Sequence, residues 1–324
     1  MQEFNLDPQN GVTPAAPSTS AAGIPLHEKI RELGSIFLAR VRGLFKPDVV
    51  EGAFVDMAEY ERTLQQYSGR GLTGAKAFEI GYGARPNRLF AMSGCGVDVT
   101  GTDIDVPILR CSPREVYLMI RRNGFERALK SVTRFLLFDQ IERRRMNQLL
   151  RLRGSRLRIE PHRLRVGDAS TFDIPPQSLD FIYSEDVFEH VPAATLQALV
   201  PKMATWLKPD GLALVRPHVY TGIAGGHLFE WFPSTVNTPK PRKSEPWEHL
   251  RKRRFKPNTY LNELCLADYR KLFQTHFEIL EERVRQPNLG RQYLTPEIAE
   301  ELSQWSDEEL FSNRILFVLR PLPR

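Results

Sequence analysis

The chain has 324 residues, of which 41% are hydrophobic and 26% are charged, and it carries a net charge of +6. This composition fits a globular protein long enough for a full α/β core, and no apolar run approaches the roughly 18 residues that a membrane span requires. The three cysteines, Cys95, Cys111 and Cys265, fit neither a disulfide nor a metal spacing, so we expect a reducing, cytoplasmic environment.

The N-terminal part of the chain is predicted to contain two regions. Residues 1–24 are rich in Pro, Ala, Ser and Thr and lack the basic start and apolar stretch of a secretory signal, so we expect a disordered tail. Apolar residues recur at helical spacing over 27–45 and 57–67, which predicts N-terminal helices within 25–70. The main domain is then expected over 71–324.

A glycine turn follows the first predicted strand. The segment Lys76–Thr102 begins Lys-Ala-Phe-Glu-Ile-Gly-Tyr-Gly and ends in a second apolar run, which Asp103 follows directly. Glycines let the backbone bend sharply and approach a ligand closely. An acid about 20 residues later is spaced to bind the hydroxyls of a ribose. The pattern therefore predicts a pocket for an adenosine-containing cofactor at the carboxyl ends of parallel strands.

The residues around this turn indicate which cofactor it binds. Nicotinamide-binding turns usually carry a third glycine, where this chain has Pro86 after Arg85. Glu79, two residues before the first glycine, suits a cationic or amine-bearing ligand better than a diphosphate. The segment resembles motif I of the class I S-adenosylmethionine-dependent methyltransferases, except that Arg85 replaces a glycine often found in that family.

The resemblance extends over four motifs between Ala77 and about Pro217. Leu164–Ala169 resembles the third strand and its adenine-binding acid, Ser178–Val191 the fourth strand and the helix after it, and Trp206–Arg216 the turn into the fifth strand. The resemblance implies an α/β, Rossmann-like class I methyltransferase fold, with a seven-stranded, mostly parallel sheet in the order 3-2-1-4-5-7-6. It also implies S-adenosyl-L-methionine as the cofactor.

The same resemblance implies a set of cofactor-binding residues. They are Glu79, Gly81 and Gly83 for the methionine and ribose side, Asp103 for the ribose hydroxyls, Asp168 and Ala169 for adenine, and Ser184 and Glu185 beneath the sulfonium. Structural roles compete with these assignments. The glycines could form an ordinary turn, the aspartates could be cap or turn acids, and Glu185 could interact with a helix dipole.

A long helical insertion is predicted between the second and third strands. The second strand ends at Asp103, yet the third does not begin until about Leu164, and helical spacing fills much of 107–163. The insertion could be a lid over the substrate or an elaboration that only packs. Arginines crowd 143–165, and a second basic run spans 240–256. Both runs could attract phosphates of nucleic acid or membranes, or be solvated helix faces.

Residues 217–258 are predicted to form a substrate loop, because they combine prolines, histidines, aromatic and basic residues. Methyl transfer to a hydroxyl also requires removal of its proton, and histidine is the leading base because its pKa lies near neutrality. The catalytic candidates are His190, His218 and His227. Each could instead be a structural histidine.

Two further features of the loop leave alternatives open. His218, His227 and Glu230 are suitable metal ligands, but their spacing matches no metal motif, so no metal is predicted. An aromatic platform for a sugar ring, or simple packing within the loop, would use Trp231, Trp247, His249 and Tyr260.

The leading hypothesis is an S-adenosylmethionine-dependent methyltransferase that methylates oxygen on a small or carbohydrate-like acceptor by in-line transfer. It rests on the loop and on a general similarity to bacterial methyltransferases associated with surface polysaccharide. The Asp/Asn-Pro-Pro-Tyr signature of nucleobase amino methylation is absent, because Ser184-Glu-Asp-Val occupies that place. Two alternatives remain: an RNA or protein methyltransferase that docks through the basic insertion, and a non-catalytic cofactor-binding module. The sequence does not indicate an oligomeric state.

Overall fold

The computed structural model describes residues 5–6, 48–238, 241–255, 257 and 259–323. The helix predicted over 27–45 and most of the predicted tail lie outside these described residues. The chain divides into two compact units, and each is described by itself below. Unit one takes in the described residues of Met1–Ala75 and Gly81–Asp168, and unit two takes in those of Lys76–Ile80 and Ala169–Arg324.

Seven principal strands form the sheet, and the predicted strand order is confirmed. They are β1 (Lys76–Ile80), β2 (Asp98–Asp103), β3 (Leu164–Val166), β4 (Leu179–Glu185), β5 (Leu207–Arg216), β6 (Phe277–Val284) and β7 (Ile315–Pro321). Their order is β3-β2-β1-β4-β5-β7-β6, and a two-residue strand, Asn5–Leu6, pairs in parallel with β3. Strand β4 is parallel to β1 and β5, whereas β7 is antiparallel to β5 and β6.

The helices alternate with these strands along the chain. The α-helices are α1 (Asp48–Ser68), α2 (Asn87–Gly94), α3 (Pro113–Asn123), α4 (Phe125–Arg134), α5 (Gln140–Arg151), α6 (Ala193–Trp206), α7 (Glu248–Arg251), α8 (Leu266–Gln274), α9 (Pro296–Glu301) and α10 (Asp307–Phe311). A π-helix, Phe135–Asp139, joins α4 to α5. Short 3₁₀ helices span Pro161–Arg163, Ala169–Thr171, Phe188–His190, Phe229–Trp231 and Arg291–Tyr293. No helix in the described part of the chain is long and apolar enough to cross a membrane.

In unit one, the inserted helices pack against the helix that follows the glycine turn. Phe54 of α1, Ala91 of α2, and Met146 and Leu150 of α5 belong to one buried cluster. A Cβ at Gly94, the last residue of α2, would lie 2.7 Å from both methyl groups of Leu150. A glycine at this position therefore allows α5 to approach α2 closely.

In unit two, an apolar core surrounds β4. All seven residues of β4 are buried, as expected for a central strand covered on both faces. Trp206 of α6 packs edge-on against Phe78 of β1 at 5.9 Å between ring centroids, and Phe273 of α8 packs against Phe317 of β7 at 5.0 Å. Strands β6 and β7 are antiparallel as predicted, and α9 and α10 lie between them in the chain.

Candidate active site

The glycine turn and Asp103 lie together in unit one. Gly81 and Gly83 have φ values of +81° and +67°, a region that glycine adopts without strain. The Gly83 N–H donates to Asp103 Oδ2 at 2.8 Å, and the Asp105 N–H donates to Oδ1 of the same carboxylate at 2.8 Å. Burial, reinforced by the nearby charge of Asp105, raises the pKa of Asp103 to about 6, although these two N–H groups act to lower it.

The ends of β2 and β3 are joined by further hydrogen bonds within unit one. The Gly167 N–H donates to the carbonyl of Asp103 at 2.9 Å, and the Thr102 hydroxyl donates to the carbonyl of Gly167 at 2.9 Å. Asp168 follows Gly167 directly and is half-buried. The structure therefore places Asp103 and Asp168 at the carboxyl ends of these neighbouring strands.

The insertion contacts the glycine turn. The Arg134 guanidinium at the end of α4 donates to the carbonyl of Ala84 at 3.1 Å. Arg85, which replaces a glycine often found in the family, forms an ion pair with Glu142 of α5. Arg85 therefore has a structural partner in the insertion. The insertion was interpreted either as a lid over the substrate or as an element that only packs. These contacts support packing.

Three predicted cofactor residues of unit two have protein partners. Glu79 is buried and accepts a hydrogen bond from the Tyr183 hydroxyl at 3.0 Å. The Ser184 hydroxyl donates to the carbonyl of Ile80 at 2.8 Å. Glu185 forms an ion pair with Arg216, its partner across β4 and β5, and these side chains are 1% and 7% exposed. A structural role therefore accounts for the burial of Ser184 and Glu185.

The three predicted histidines meet just beyond the ends of β4 and β5 in unit two. His190 ends the 3₁₀ helix after β4, His218 follows β5 by two residues, and His227 arrives from the loop. The ring centroid of His227 lies 4.9 Å from that of His190 and 5.0 Å from that of His218. The sequence separates these residues, so only the fold reveals that they are neighbours.

Two acids accompany the histidines. Both carboxylate oxygens of Asp186 accept from Arg314, at 2.9 and 2.6 Å, and Asp186 Oδ1 lies 3.5 Å from His218 Nε2. Glu189 is 3% exposed, and its Oε1 lies 3.9 Å from His190 Nε2. Asp186, Glu189 and His190 lie within five residues of one another just after β4, so the sequence itself places them close together. Arg314 comes from a distant segment and carries no such signal.

The environment keeps two of the histidines neutral. Burial lowers the pKa of His218 to about 4, although the charge of Asp186 opposes this. Burial, together with the neighbouring His218 and His190, lowers the pKa of His227 to about 3. Burial also raises the pKa of Glu189 well above its usual range, and the charge of Asp186 adds to this effect. Near neutral pH, the imidazoles of His218 and His227 therefore carry no charge.

Hydrogen bonds and backbone geometry orient the rings. His190 Nδ1 lies 2.9 Å from the carbonyl of Tyr260 and therefore donates to it, which leaves Nε2 as an acceptor in the neutral ring. His227 has a φ of +53°, which is uncommon for a residue with a side chain. A Cβ at Gly225 would lie 2.1 Å from the carbonyl of Tyr220, and one at Gly226 would lie 2.5 Å from the His249 ring. These two glycines, which precede His227 in the loop, therefore approach protein atoms closely.

Three of the four residues considered for an aromatic platform are buried. Trp231, Trp247 and His249 are 2%, 0% and 5% exposed, and the two tryptophans belong to a buried cluster of the loop. Tyr260 is 55% exposed. Packing therefore explains the tryptophans, as the alternative interpretation expected.

Two phenylalanines, Phe232 and Phe229, lie beside the histidines. The ring of Phe232 packs edge-on against His227 at 5.6 Å and His218 at 6.3 Å between centroids. Phe229 lies 6.4 Å from Phe232 and is 66% exposed. No feature of the sequence distinguishes these two from the other phenylalanines of the chain.

Glu230 has a structural partner of its own. Its carboxylate accepts from the backbone N–H groups of Lys243 at 2.8 Å and Ser244 at 2.7 Å. Among the described residues, the groups with metal-ligand geometry contain other acids, Asp186 and Glu189, together with the histidines. The set of His218, His227 and Glu230 considered from the sequence is therefore not the arrangement that forms.

The fold and these residues can be compared with known proteins. A family model described as a methyltransferase domain matches residues 138–215, which include β3 and β4 and most of β5. This segment of the chain is therefore similar to a methyltransferase domain. Together with the strand order, this match confirms the predicted S-adenosylmethionine-dependent methyltransferase and its cofactor. The glycine turn lies outside the matched residues. No curated protein matches the chain.

Solved structures resemble this chain only weakly, and their acceptors are not transferred to it. The PH0226 protein of Pyrococcus horikoshii is 14% identical, with 84% of this chain and 91% of that chain covered and a TM-score of 0.42. Geranyl diphosphate C-methyltransferase of Streptomyces coelicolor is 12% identical, with 82% and 76% covered and a TM-score of 0.41. The 1,6-didemethyltoxoflavin-N1-methyltransferase of Burkholderia thailandensis is 12% identical, with 94% and 93% covered and a TM-score of 0.40.

Proposed function

We propose that this methyltransferase transfers a methyl group to a hydroxyl oxygen of a small, carbohydrate-like acceptor. The observation that carries the proposal is the cluster of His190, His218 and His227 with Asp186 and Glu189 beyond the ends of β4 and β5. A hydroxyl must lose its proton as its oxygen attacks, and a neutral imidazole is the side chain best suited to accept it near neutral pH.

The cofactor-binding assignment rests on the residues of the glycine turn. Gly81 and Gly83 adopt positive φ, and Asp103 is held next to the turn by two N–H donors. A carboxylate in this place fits the hydroxyls of a ribose, and Asp168 fits a contact with adenine. The bound cofactor would supply the methyl group on a sulfonium. Glu79, Ala169, Ser184 and Glu185 remain predictions from the resemblance, and the protein partners of Ser184 and Glu185 support a structural role as the alternative.

His190 is the proposed proton acceptor. The carbonyl of Tyr260 holds its Nδ1–H, so the lone pair of Nε2 is free to accept. This is the arrangement in which a fixed hydrogen bond sets the tautomer of a catalytic histidine. His218 and His227, which burial keeps neutral, are proposed to hydrogen-bond the acceptor and to hold it in line for transfer.

Exposed aromatic side chains of unit two support the carbohydrate-like class. Tyr260 provides the carbonyl that holds His190, and the residue is 55% exposed. Phe229 is 66% exposed and packs on Phe232, which in turn contacts His227. Large, rigid aromatic side chains provide apolar contact area at low entropic cost, which suits the apolar face of a sugar ring.

Several basic residues of the two runs already have protein partners, which reduces what these residues could contribute to nucleic-acid docking. Arg251, Lys252, Arg253 and Arg254 each pair with a carboxylate, drawn from Glu245, Glu248, Glu263 and Glu301. In the first run, Arg143 donates to the carbonyl of Leu109, Arg145 pairs with Glu51, and Arg163 pairs with Glu160. Guanidinium groups that already have partners contribute less to a phosphate-binding surface.

An acceptor screen tests the proposal. The full chain is incubated with cofactor labelled in its methyl group and with matched acceptors: a glycoside, the same glycoside lacking one hydroxyl, an amino sugar and an RNA. We expect label in a methyl ether of the glycoside and its loss when the reacting hydroxyl is missing. Label on the amine or on the RNA, with none on oxygen, would contradict the proposal.

A further inference from the structure

A buried carboxylate to which no side chain donates a hydrogen bond lies within the histidine cluster. Among the described residues, no side-chain donor lies within hydrogen-bond distance of either oxygen of Glu189, and the residue is 3% exposed. A buried carboxylate charge is costly unless it is balanced, so a proton or a cation must accompany it. A proton would create a hydroxyl that itself needs an acceptor. His190 Nε2, at 3.9 Å from Oε1, is beyond hydrogen-bond length.

Two imidazoles complete a set of metal-ligand atoms around this carboxylate. One ligand atom each from Glu189, His190 and His227 lies within 4.8 Å of the others. Bonds of about 2.0–2.2 Å to a tetrahedral zinc ion would place neighbouring ligand atoms about 3.4 Å apart. The separations between these three atoms therefore need to shorten by at most about 1.4 Å for one ion to bind all of them.

The orientation of both histidines suits this role. The Nδ1–H of His190 is held by the carbonyl of Tyr260 at 2.9 Å, so that Nε2 is unprotonated in the neutral ring. Metal-binding histidines usually donate their other ring N–H to such a carbonyl or to a carboxylate. His227 Nε2 is buried and has no hydrogen-bond partner among the described residues.

A second, overlapping group is less suitable for a cation. It consists of Asp186, Glu189 and His218, whose ligand atoms also lie within 4.8 Å of one another. Both oxygens of Asp186 already accept from Arg314, at 2.9 and 2.6 Å, and the positive guanidinium would repel a metal ion. The geometry therefore favours the group that contains His190 and His227.

We propose that Glu189, His190 and His227 bind one divalent transition-metal cation. Two imidazoles and one carboxylate suit zinc, manganese, cobalt or nickel, whereas magnesium and calcium prefer oxygen ligands. Three protein ligands leave positions open for a water molecule and an acceptor hydroxyl. A coordinated hydroxyl loses its proton more readily; with the cation bound, His190 Nε2 would be a ligand, so the proton would pass to solvent and not to His190. This role in methyl transfer rests on the proposed function, whereas the binding of the cation does not.

Metal titration of the full, untagged chain tests the inference. The protein is stripped with a chelator and titrated with Zn²⁺ by calorimetry, with Co²⁺ by visible absorption, and with Mg²⁺ for comparison, all without cofactor or acceptor. We expect one Zn²⁺ per chain, bound at least 100-fold more tightly than Mg²⁺. The absence of stoichiometric Zn²⁺ binding would overturn the proposal, whatever the methyl-transfer activity.

Variants locate the bound ion. We expect Glu189→Gln and His227→Ala each to weaken Zn²⁺ binding by at least 10-fold, while His276→Ala, at an exposed histidine, leaves it unchanged. If circular dichroism shows that Glu189→Gln does not fold, His190→Gln replaces it, because the His190 side chain is 32% exposed. Ligand variants that bind Zn²⁺ as tightly as the wild type would refute the assignment. A chain that methylates a hydroxyl without binding Zn²⁺ would refute only the metal site.

Discussion

The buried ion pair between Glu185 and Arg216 makes the strongest prediction about stability. The two side chains are 1% and 7% exposed and face each other across β4 and β5. We expect Arg216→Met to leave an uncompensated carboxylate in the core of unit two. Removing one partner of a buried pair costs about 3–5 kcal/mol, because the remaining charge stays desolvated. The folding equilibrium constant should therefore fall by roughly 10²- to 10⁴-fold.

Urea unfolding measures this effect. Circular dichroism gives the free energy of unfolding by linear extrapolation for the wild type, both single variants, and the double variant Glu185→Leu/Arg216→Met. An apolar pair of similar volume removes both charges, so we expect the double variant to lie within about 1 kcal/mol of the wild type. A matched exposed pair, Arg253 and Glu263, with side chains 61% and 47% exposed, provides the control. We expect Arg253→Met to cost less than about 1 kcal/mol.

Two outcomes would refute this reasoning. The first is a cost below about 1 kcal/mol for Arg216→Met, which would mean that the pair is effectively solvated. The second is a double variant as unstable as the sum of the two single variants, which would mean that the charges are not coupled. The same double variant also tests the role of Glu185. If Glu185 has only a structural role, the double variant should bind the cofactor as tightly as the wild type in calorimetry. A stable double variant that no longer binds the cofactor would instead support a role for Glu185 beneath the sulfonium.

Three further predictions concern the two candidate sites and the insertion. Cofactor affinity should rise between pH 5 and 7 with a midpoint near the Asp103 pKa of about 6, and calorimetry should find no such pH dependence in Asp103→Asn. Because this pKa lies above the ordinary aspartate pKa of 3.8, the contribution of Asp103 to the free energy of unfolding should increase as the pH falls from about 6 to about 4. His190→Ala should reduce turnover by about 10²- to 10⁴-fold with little change in cofactor affinity, and His227→Ala should also lower turnover more than affinity; steady-state kinetics that show unchanged turnover would contradict both. Gly94→Ala should cost about 1–3 kcal/mol in urea unfolding, since its Cβ would lie 2.7 Å from the Leu150 methyl groups; a neutral result would mean that α5 can shift freely.

Local features of the sequence predicted the glycine turn and the strands around it, and the family resemblance that they carry implied the fold. The glycine turn, the acid after β2 and the strand motifs act through short-range chemistry, in which glycine permits a bend and an apolar run becomes a buried strand. The strand order followed from a resemblance carried by these same residues, and the structure confirms it. The helical insertion was predictable for the same reason, because its apolar residues recur at the period of a helix.

Tertiary structure decided which polar groups act together. His190, His218 and His227 were each visible in the sequence, but their contact depends on the loop that carries His227 back to the ends of β4 and β5. Partners drawn from distant segments, such as Arg314 for Asp186, leave no periodic signal in the chain. Burial depends on the same long-range packing, which is why the tryptophans of the loop could not be recognised as core residues from the sequence.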